Sequence, residues 1–584
     1  MAPFFALFCL LIPSVLVLGQ QPGFLSIDCG LDATYSGYKD PNRGIFYVSD
    51  EPYVDAGENH MVAAEYQGPD NRYLQTLRSF PSGLRNCYSL PTKTGDKYIV
   101  RMEIFYGNYD GKNSSSSIEF DLHLGPDYWE TATPDHTYEA LFVAWAAWTP
   151  VCLVNAGRGT PFVSSVELRP LGALYPPVSP DLSLSLWSRQ SLGPNVVFTR
   201  YPDDTYDRYW WSMEKIYPLW ANLSTMGSVQ PDPDFMQPLT VLQTAVAAGG
   251  NDTILTITWQ ENKRSDSFMV FLHFADFQNT QLRQFGIYLN GNRLGASNKP
   301  HNPTFMAASC VYASMYRAND GSYNITLAAT SMSMLPPMLN ALEVYTIIAN
   351  DSPITFPNDF DAIMAIKYEY GVKKNWMGDP CFPARYAWEG IKCSNTSGNT
   401  MRITSLDLSS SKLSGVVSTN FTLLTALQNL DLSYNNLSGS IPDSLPSLSS
   451  LQVLYFLTGR LTESSDVYCF GIVLLEIATG EPPILPGNGH IVQRVKQMIS
   501  TGDIRFIADA SLRGAYDVSS MWKVLDIAVM CTADSAAQRP TMAAVIAQLR
   551  ESLALEEARE DSTIWPSQGS NIEAMASTFG PLAR

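Results

Sequence analysis

Lys367, in the tetrapeptide Met364-Ala365-Ile366-Lys367, has the form of a lysine that grips nucleotide phosphates. Phosphoryl transfer needs more. A glycine-rich loop must cover the phosphates, an aspartate and an asparagine must flank the transfer, and a second aspartate must hold the metal. No G-x-G-x-x-G occurs in the chain. None of the six histidines is followed by Arg-Asp. Asp276-Phe277 continues into Gln278 and Asp359-Phe360 into Asp361, so neither is a metal-holding Asp-Phe-Gly. Lys367 without a phosphate loop ahead of it reads as structural. No catalytic residue, nucleotide cofactor, ATP binding or metal is expected.

Three other residue sets carry possible chemistry. Tyr106, Tyr109, Tyr128 and Trp129 are aromatics of the kind that stack on sugar rings, although aromatics on alternating strands are about four times more often core. Asn113, Asn222, Asn251, Asn324, Asn350, Asn395, Asn420 and Asn436 each head an N-x-S/T triplet, the acceptor for N-linked glycan, and none occurs after residue 451. Cys381 and Cys393 sit close together in a tryptophan-rich loop, which predicts a local disulfide. The connectivity of Cys29, Cys87, Cys152 and Cys310 stays open, and Cys469 and Cys531 read as reduced thiols in apolar helices.

Composition sets the frame for these residues. With 45% hydrophobic and 16% charged residues, 584 residues make a multidomain globular chain. A net charge of −18 argues against nucleic acid, whose phosphates demand a basic surface. Residues 1–19 have the apolar centre and small C-terminal residues of a secretory signal, with cleavage expected near Gly19 or Gln20. No second apolar run reaches 18 residues. The best, 467–478, is about twelve long and contains Glu476, so it reads as a buried helix.

The elements follow from periodicity. Ile118, Phe120, Leu122 and Leu124 alternate with Glu119, Asp121 and His123, and Val100, Met102, Ile104 and Tyr106 repeat the pattern. Period two places one face on a core and the other in water. The same texture over 267–277 and 323–347 predicts tandem all-β sandwiches, 24–175 and 184–347, joined by the proline-rich 174–183. A linker and cysteine-capped lead-in, 348–402, precedes leucine-rich repeats at 403–460. Leu406, Leu408, Leu413 and Gly415 recur 24 residues later as Leu430, Leu432, Leu437 and Gly439, and a third turn falls on Leu454, Phe456 and Leu461. Asn435 should ladder to loop backbone where Ser411 does so poorly. Residues 490–556 follow helical spacing, and 557–584 reads as a disordered tail.

The segments "LRSFPSGLRNCYSLP" (77–91), "IFYGNYDGKN" (104–113), "VCLVNAGRGTPFVSSVELRPL" (151–171), "RYPDDTYDRYW" (200–210), "FLHFADFQ" (271–278) and "LPPMLNALEVY" (335–345) resemble the malectin-like ectodomain of plant leucine-rich-repeat receptor-like serine/threonine kinases. "LTESSDVYCFGIVLLEIATGEPP" (461–483) and "DSAAQRPTMAAVIAQL" (534–549) resemble the C-lobe of that family's kinase domain, which makes 461–556 a partial lobe. The resemblance implies that Asp466 matches a buried aspartate holding the catalytic loop, and Arg539 an arginine pairing with the glutamate that ends the activation segment. The span, the N-lobe and the catalytic motifs that should separate the repeats from this lobe are missing. An all-round apolar helix at 467–478 then loses partners, each exposed side chain forfeiting about 1.5–3 kcal/mol. Arg539 must reach water or stay unpaired. The fragment is expected to pack on its neighbours or to be marginal.

The resulting expectation is a recognition protein of the secretory route, extracellular or lumenal, from a plasma-membrane family. It would bind a cell-wall, glycan or peptide ligand, or an LRR co-receptor or full-length paralogue, and would not be an enzyme as it stands. The alternatives are a fragment or splice form of an active membrane receptor kinase that phosphorylates proteins with ATP, and a glycan-binding lectin.

Overall fold

The structure, a computed structural model, describes the chain outside residues 1–19, 69–70, 114, 116, 195–197, 214–219, 251, 262–266, 296–298, 375, 396–399, 440, 443, 456–462, 486–488, 500–501, 534, 536–537 and 565–584. The expected signal segment, Asn251, Phe456 and Leu461 therefore lie outside the described residues. Two compact units emerge: residues up to 361 with 373–389 and 393–402, and residues 362–372, 390–392 and 403 onward.

The first unit is organised by one long sheet. Its strands are β1 (Leu25–Asp28), β2 (Tyr38–Lys39), β3 (Phe46–Ser49), β4 (Lys97–Ile104), β5 (His136–Val143), β6 (Ser165–Gly172), β7 (Leu182–Leu192), β8 (Phe268–Phe274), β9 (Ser309–Tyr316) and β10 (Ala341–Ala349). They run in the order β2-β3-β1-β6-β4-β5-β7-β10-β8-β9. A four-stranded sheet holding Glu119–Leu124 closes one sandwich against it. A second, holding Ile254–Gln260 and Ser322–Ala329, closes the other. In Glu119–Leu124 the buried residues are Phe120, Leu122 and Leu124, as alternation requires. Each sandwich has its own core, one around Val100, Met102 and Phe120, the other around Val270, Phe285 and Ile325.

The two sandwiches are not beads on a linker. β7, in the second half, pairs with β5 of the first, Ala140 opposite Ser185 and Leu141 opposite Leu184. The expected joint is interior: Leu174, Tyr175 and Val178 pack with Ile99, Leu141 and Phe271 under the sheet. The face of β4 expected to meet water is buried too, with Ile99 and Arg101 fully enclosed. Alternation marked the two faces correctly, but the second half of the chain covers the polar one.

The lead-in closes the first unit. Trp376 and Trp388 stack with ring centroids 5.0 Å apart, and the Trp388 indole N–H donates to Met377 O (2.8 Å). Cys381 and Cys393 are disulfide-bonded, as are Cys87 and Cys152 across a strand pair. Arg85 donates to the carbonyls of Met377 (2.5 Å), Tyr386 (2.8 Å), Asp379 (3.3 Å) and Phe382 (3.4 Å), which fixes the cap on the first sandwich.

The second unit contains the repeats and the C-terminal helices. A helix, α1 (Pro357–Tyr370), occupies what the sequence presented as linker, its Ile363, Met364, Ile366 and Lys367 all buried. Strands β11 (Thr400–Asp407), β12 (Asn429–Asp431) and β13 (Val453–Tyr455) stack in parallel with Leu406, Leu430 and Leu454 in register, so the 24-residue period holds through the third turn. Asn435 is buried. Its carboxamide oxygen accepts from Ser411 N and Leu413 N (3.0 Å each), and its nitrogen donates to Leu408 O (2.7 Å) and Leu432 O (3.0 Å).

Helices α2 (Glu463–Thr479), α3 (Ile491–Ile499), α4 (Val518–Cys531) and α5 (Met542–Ile564) share a core of Val467, Leu475, Ile491, Val495, Leu525 and Val545. α5 continues to Ile564, into the stretch expected as disordered tail, because Glu556, Glu557 and Arg559 extend good helix formers past the last apolar turn. Among the described residues no helix is long and apolar enough to cross a membrane.

Candidate functional site

A groove of about 490 Å³ opens on the first unit where β7, β8 and β10 meet the end of β9. Its walls are apolar: Met269 and Ile348 are buried, and Met315 is 63% exposed. Its lip is acidic, with the exposed carboxylates Asp181 and Asp351. Asn350 holds the lip in shape by donating to Pro180 O (3.1 Å) and Ser183 Oγ (3.2 Å). The Ser352 N–H donates to Asp127 (3.0 Å) just behind it, and burial, reinforced by Ser352's neighbour Asp351, pushes the Asp127 carboxyl upward. An apolar trough with a carboxylate lip suits a cationic, partly apolar ligand.

A buried ionic network ties strands of the same long sheet together. Five enclosed guanidiniums (Arg101, Arg169, Arg189, Arg200, Arg208) meet five enclosed carboxylates (Glu139, Glu167, Asp204, Asp207, Glu343). Arg189 on β7 spans the seam, reaching Glu139 on β5 (2.7 Å) and Glu343 on β10 (2.8 Å). Burial alone would raise these acids. For Glu167 the charges of Arg169, Arg200 and Arg101 outweigh it and hold the carboxyl at about 2, and for Glu343 Arg189 and His273 do the same, well below the usual range. A charge-balanced, hydrogen-bonded cluster of this kind fixes geometry. Among the described residues no group of three or more His, Cys, Asp or Glu side chains is arranged to hold a metal ion.

The aromatics singled out as sugar platforms are not gathered on one surface. Tyr106 and Trp129 are buried, Trp129 donating to Ser185 Oγ (2.9 Å). Tyr109 packs against Phe162 and Tyr106, and Tyr128 alone is exposed. Asn113, Asn222, Asn324, Asn395 and Asn436 are exposed, and Asn350 and Asn420 partly so. Thr326 donates to the Asn324 carboxamide oxygen (2.9 Å), the contact an N-x-T triplet makes on a strand. Lys367 lies buried in α1.

Asp466 is exposed in the first turn of α2, because no catalytic loop lies over it in the described residues. Arg539 is neither stranded nor fully in water: it donates to Ala533 O (2.8 Å) and Ser464 O (3.1 Å) and lies over the Tyr468 ring at 4.6 Å. Main-chain carbonyls are thus among the partners of Arg539. Cys531 is buried, but Cys469 is exposed on the outer face of α2, against the expectation of a core thiol. The groove itself carried no sequence signal, since its walls come from four segments up to 174 residues apart and only their register assembles them.

A malectin-like domain model matches residues 27–347, more than half of the chain, and a leucine-rich repeat model matches residues 402–456. Two Arabidopsis thaliana proteins, each named a "Probable LRR receptor-like serine/threonine-protein kinase", are 37% identical to this chain. One matches over 437 residues (73% of this chain and 49% of that protein), the other over 432 (71% and 49%). The chain thus spans about half the length of the curated relatives it matches. Among solved structures, the ANX2 ectodomain from Arabidopsis thaliana is similar at 15% identity and a TM-score of 0.48, covering 56% of this chain and 96% of that one. A structure of the plant peptide RALF23 with FER and LLG2 is similar at 14% identity and a TM-score of 0.47, covering 57% and 97%. The matched models and the identities to the relatives agree with the tandem sandwiches, the capped lead-in and the stacked repeats: the chain belongs to the plant malectin-like, leucine-rich-repeat receptor-like kinase family.

Proposed function

We propose that this chain is a recognition protein of the secretory route, its malectin-like unit and repeats binding a ligand or a co-receptor and its C-terminal helices serving no catalysis. One observation carries the reading. The last repeat strand ends at Tyr455 and α2 begins at Glu463, so only seven residues, 456–462, lie between a repeat in full register and the first helix of the lobe-like fragment. A bilayer-crossing helix takes about 20 residues, and the phosphate-gripping half of a kinase takes many more. Seven residues supply neither, and the two segments must share one side of any membrane.

The helices are consistent with this reading in having a core of their own, built on Val467, Leu475, Leu525 and Val545. Purified full chain, incubated with labelled Mg-ATP and a generic serine/threonine peptide substrate, is expected to transfer no phosphate and to melt at the same temperature with and without nucleotide. Phosphate transfer, or a nucleotide-dependent rise in melting temperature, would overturn the proposal. Protease added to sealed vesicles should reach, or spare, the repeats and α2–α5 together.

A further inference from the structure

β9 is the terminal strand of the long sheet. Its start is covered: Gln230 bridges Ala307, the Ala308 N–H donates to Gln230 O (2.7 Å), and the Cys310 N–H donates to Asp232 Oδ2 (3.0 Å). Beyond Cys310, among the described residues, nothing pairs with the outer side. The Cys310 N–H turns away from β8, so strand alternation turns the Tyr312 N–H and C=O away as well.

Edge strands of this length normally carry a guard, a charge or a proline that blocks further pairing. Residues 311–316, Val-Tyr-Ala-Ser-Met-Tyr, carry neither. Tyr312 is 44% exposed and its ring lies tilted against Phe271, while Met315 stands out over the groove at a bulge opposite Met269. An open edge and an apolar trough therefore lie side by side, with Asp181 and Asp351 on the trough's lip.

We propose that β9 and the groove together dock an extended peptide segment. It adds as a short strand along Val311–Ala313, lays an apolar side chain into the trough beside Met315, and places a lysine or arginine at the Asp181/Asp351 lip. Main-chain bonds at the edge supply affinity and the trough supplies selection. Charge chooses the occupant. A second copy would bring to this edge a strand without any cation, two more lip carboxylates and a chain of net charge −18. A basic segment is complementary where a second copy is not. The inference rests on the recognition reading above and gives it a ligand class.

The test uses the full chain and an immobilised array of synthetic ten-residue peptides with valine at alternate positions and lysine, glutamate or norleucine at one intervening position. The wild type is expected to retain lysine peptides at least tenfold over glutamate peptides and to slow hydrogen exchange at the Tyr312 amide. Met315→Lys, which supplies the missing guard at an exposed position, should lose that retention tenfold at unchanged melting temperature. Asp181→Asn with Asp351→Asn should erase the lysine preference and keep norleucine peptides bound. If peptides bind and Met315→Lys leaves them bound, the placement at β9 is wrong while the recognition reading stands. If no peptide of any pattern is retained, the peptide proposal fails outright. A dimer in sedimentation that Met315→Lys abolishes would assign the edge to a second copy and overturn the proposed occupant.

Discussion

Replacing Arg189 by methionine probes the seam between the sandwiches directly. The guanidinium is fully enclosed and makes three short contacts, to Glu343 (2.8 Å), Glu139 (2.7 Å) and the Tyr345 hydroxyl (2.7 Å). Methionine fills most of the volume but leaves four guanidiniums against five carboxylates. Glu139 keeps Arg101 (2.8 Å), and Glu343 keeps the hydroxyls of Tyr175 and Tyr345 together with His273. One buried negative charge is uncompensated, which costs about 3–5 kcal/mol. The sign with pH follows. In the wild type Glu343 is held low, so its contribution is complete above the unfolded value near 4.5 and fades only in strong acid. In the variant a glutamate is raised, and acidification relieves the loss by protonating it. Urea unfolding followed by tryptophan fluorescence should therefore show a larger deficit at pH 7.5 than at pH 5, in a single transition for both sandwiches because β5 and β7 share a sheet. Arg158→Met, at an exposed pair with Glu119, is the control and should cost under about 1 kcal/mol. A deficit for Arg189→Met below about 1 kcal/mol, or one independent of pH, would refute the claim that the network holds the seam.

Other perturbations test other joints. Burial raises Asp28 to about 7, against donations from Thr76 and Tyr38. A raised carboxyl lends stability in full below its unfolded value and loses it as pH climbs through about 7, so the malectin-like unit should melt higher at pH 5.5 than at pH 8, and Asp28→Asn should flatten that dependence. Arg85→Met removes the donor to four cap carbonyls and should cost about 2–3 kcal/mol, read as faster proteolysis within 376–393. Asn435→Ala unpairs backbone groups in two turns of the repeat and should lower unfolding stability by about 3 kcal/mol in denaturant titration. A Cβ at Gly471 would stand 2.6 Å from Cys531 Cβ and 3.0 Å from Ala528 O, so Gly471→Ala should part α2 from α4, cost about 1–3 kcal/mol, and show as earlier melting of the helices.

The parts legible in the sequence were those written in local period. Phe120, Leu122 and Leu124 alternate, Leu406 and Leu430 recur at 24, and both produced the elements they announce. The repeat spacing also placed Leu454 correctly, since a parallel stack is a one-dimensional register. What escaped was decided at long range. Arg101 and Glu103 look like a solvent face because alternation reports only that two faces differ, and the carboxylates that enclose Arg101 lie 38 to 106 residues away. The Pro-rich stretch around Tyr175 carries loop composition, yet its apolar residues cap the underside of the sheet. α1 escaped because a helix buried on several sides shows little amphipathic contrast. The groove and the open edge escaped for the same reason as the seam: Met269, Met315 and Ile348 become neighbours only once β8, β9 and β10 are paired.

The C-terminal helices are held together by contacts of their own. α2 turns Val467, Leu475 and Ala478 inward and leaves Val473 and Ile477 outside, Ile477 68% exposed. An all-round apolar helix has thus been split by circumstance into a buried side and a bare one. The buried side suffices because α4 and α5 close over it and Ser520 and Ser552 bond across their interface (2.8 Å). Arg539 is held in the same local way, by two carbonyls and the face of Tyr468. Each of these contacts is local to the C-terminal helices. The C-terminal helices therefore hold a core by contacts among themselves.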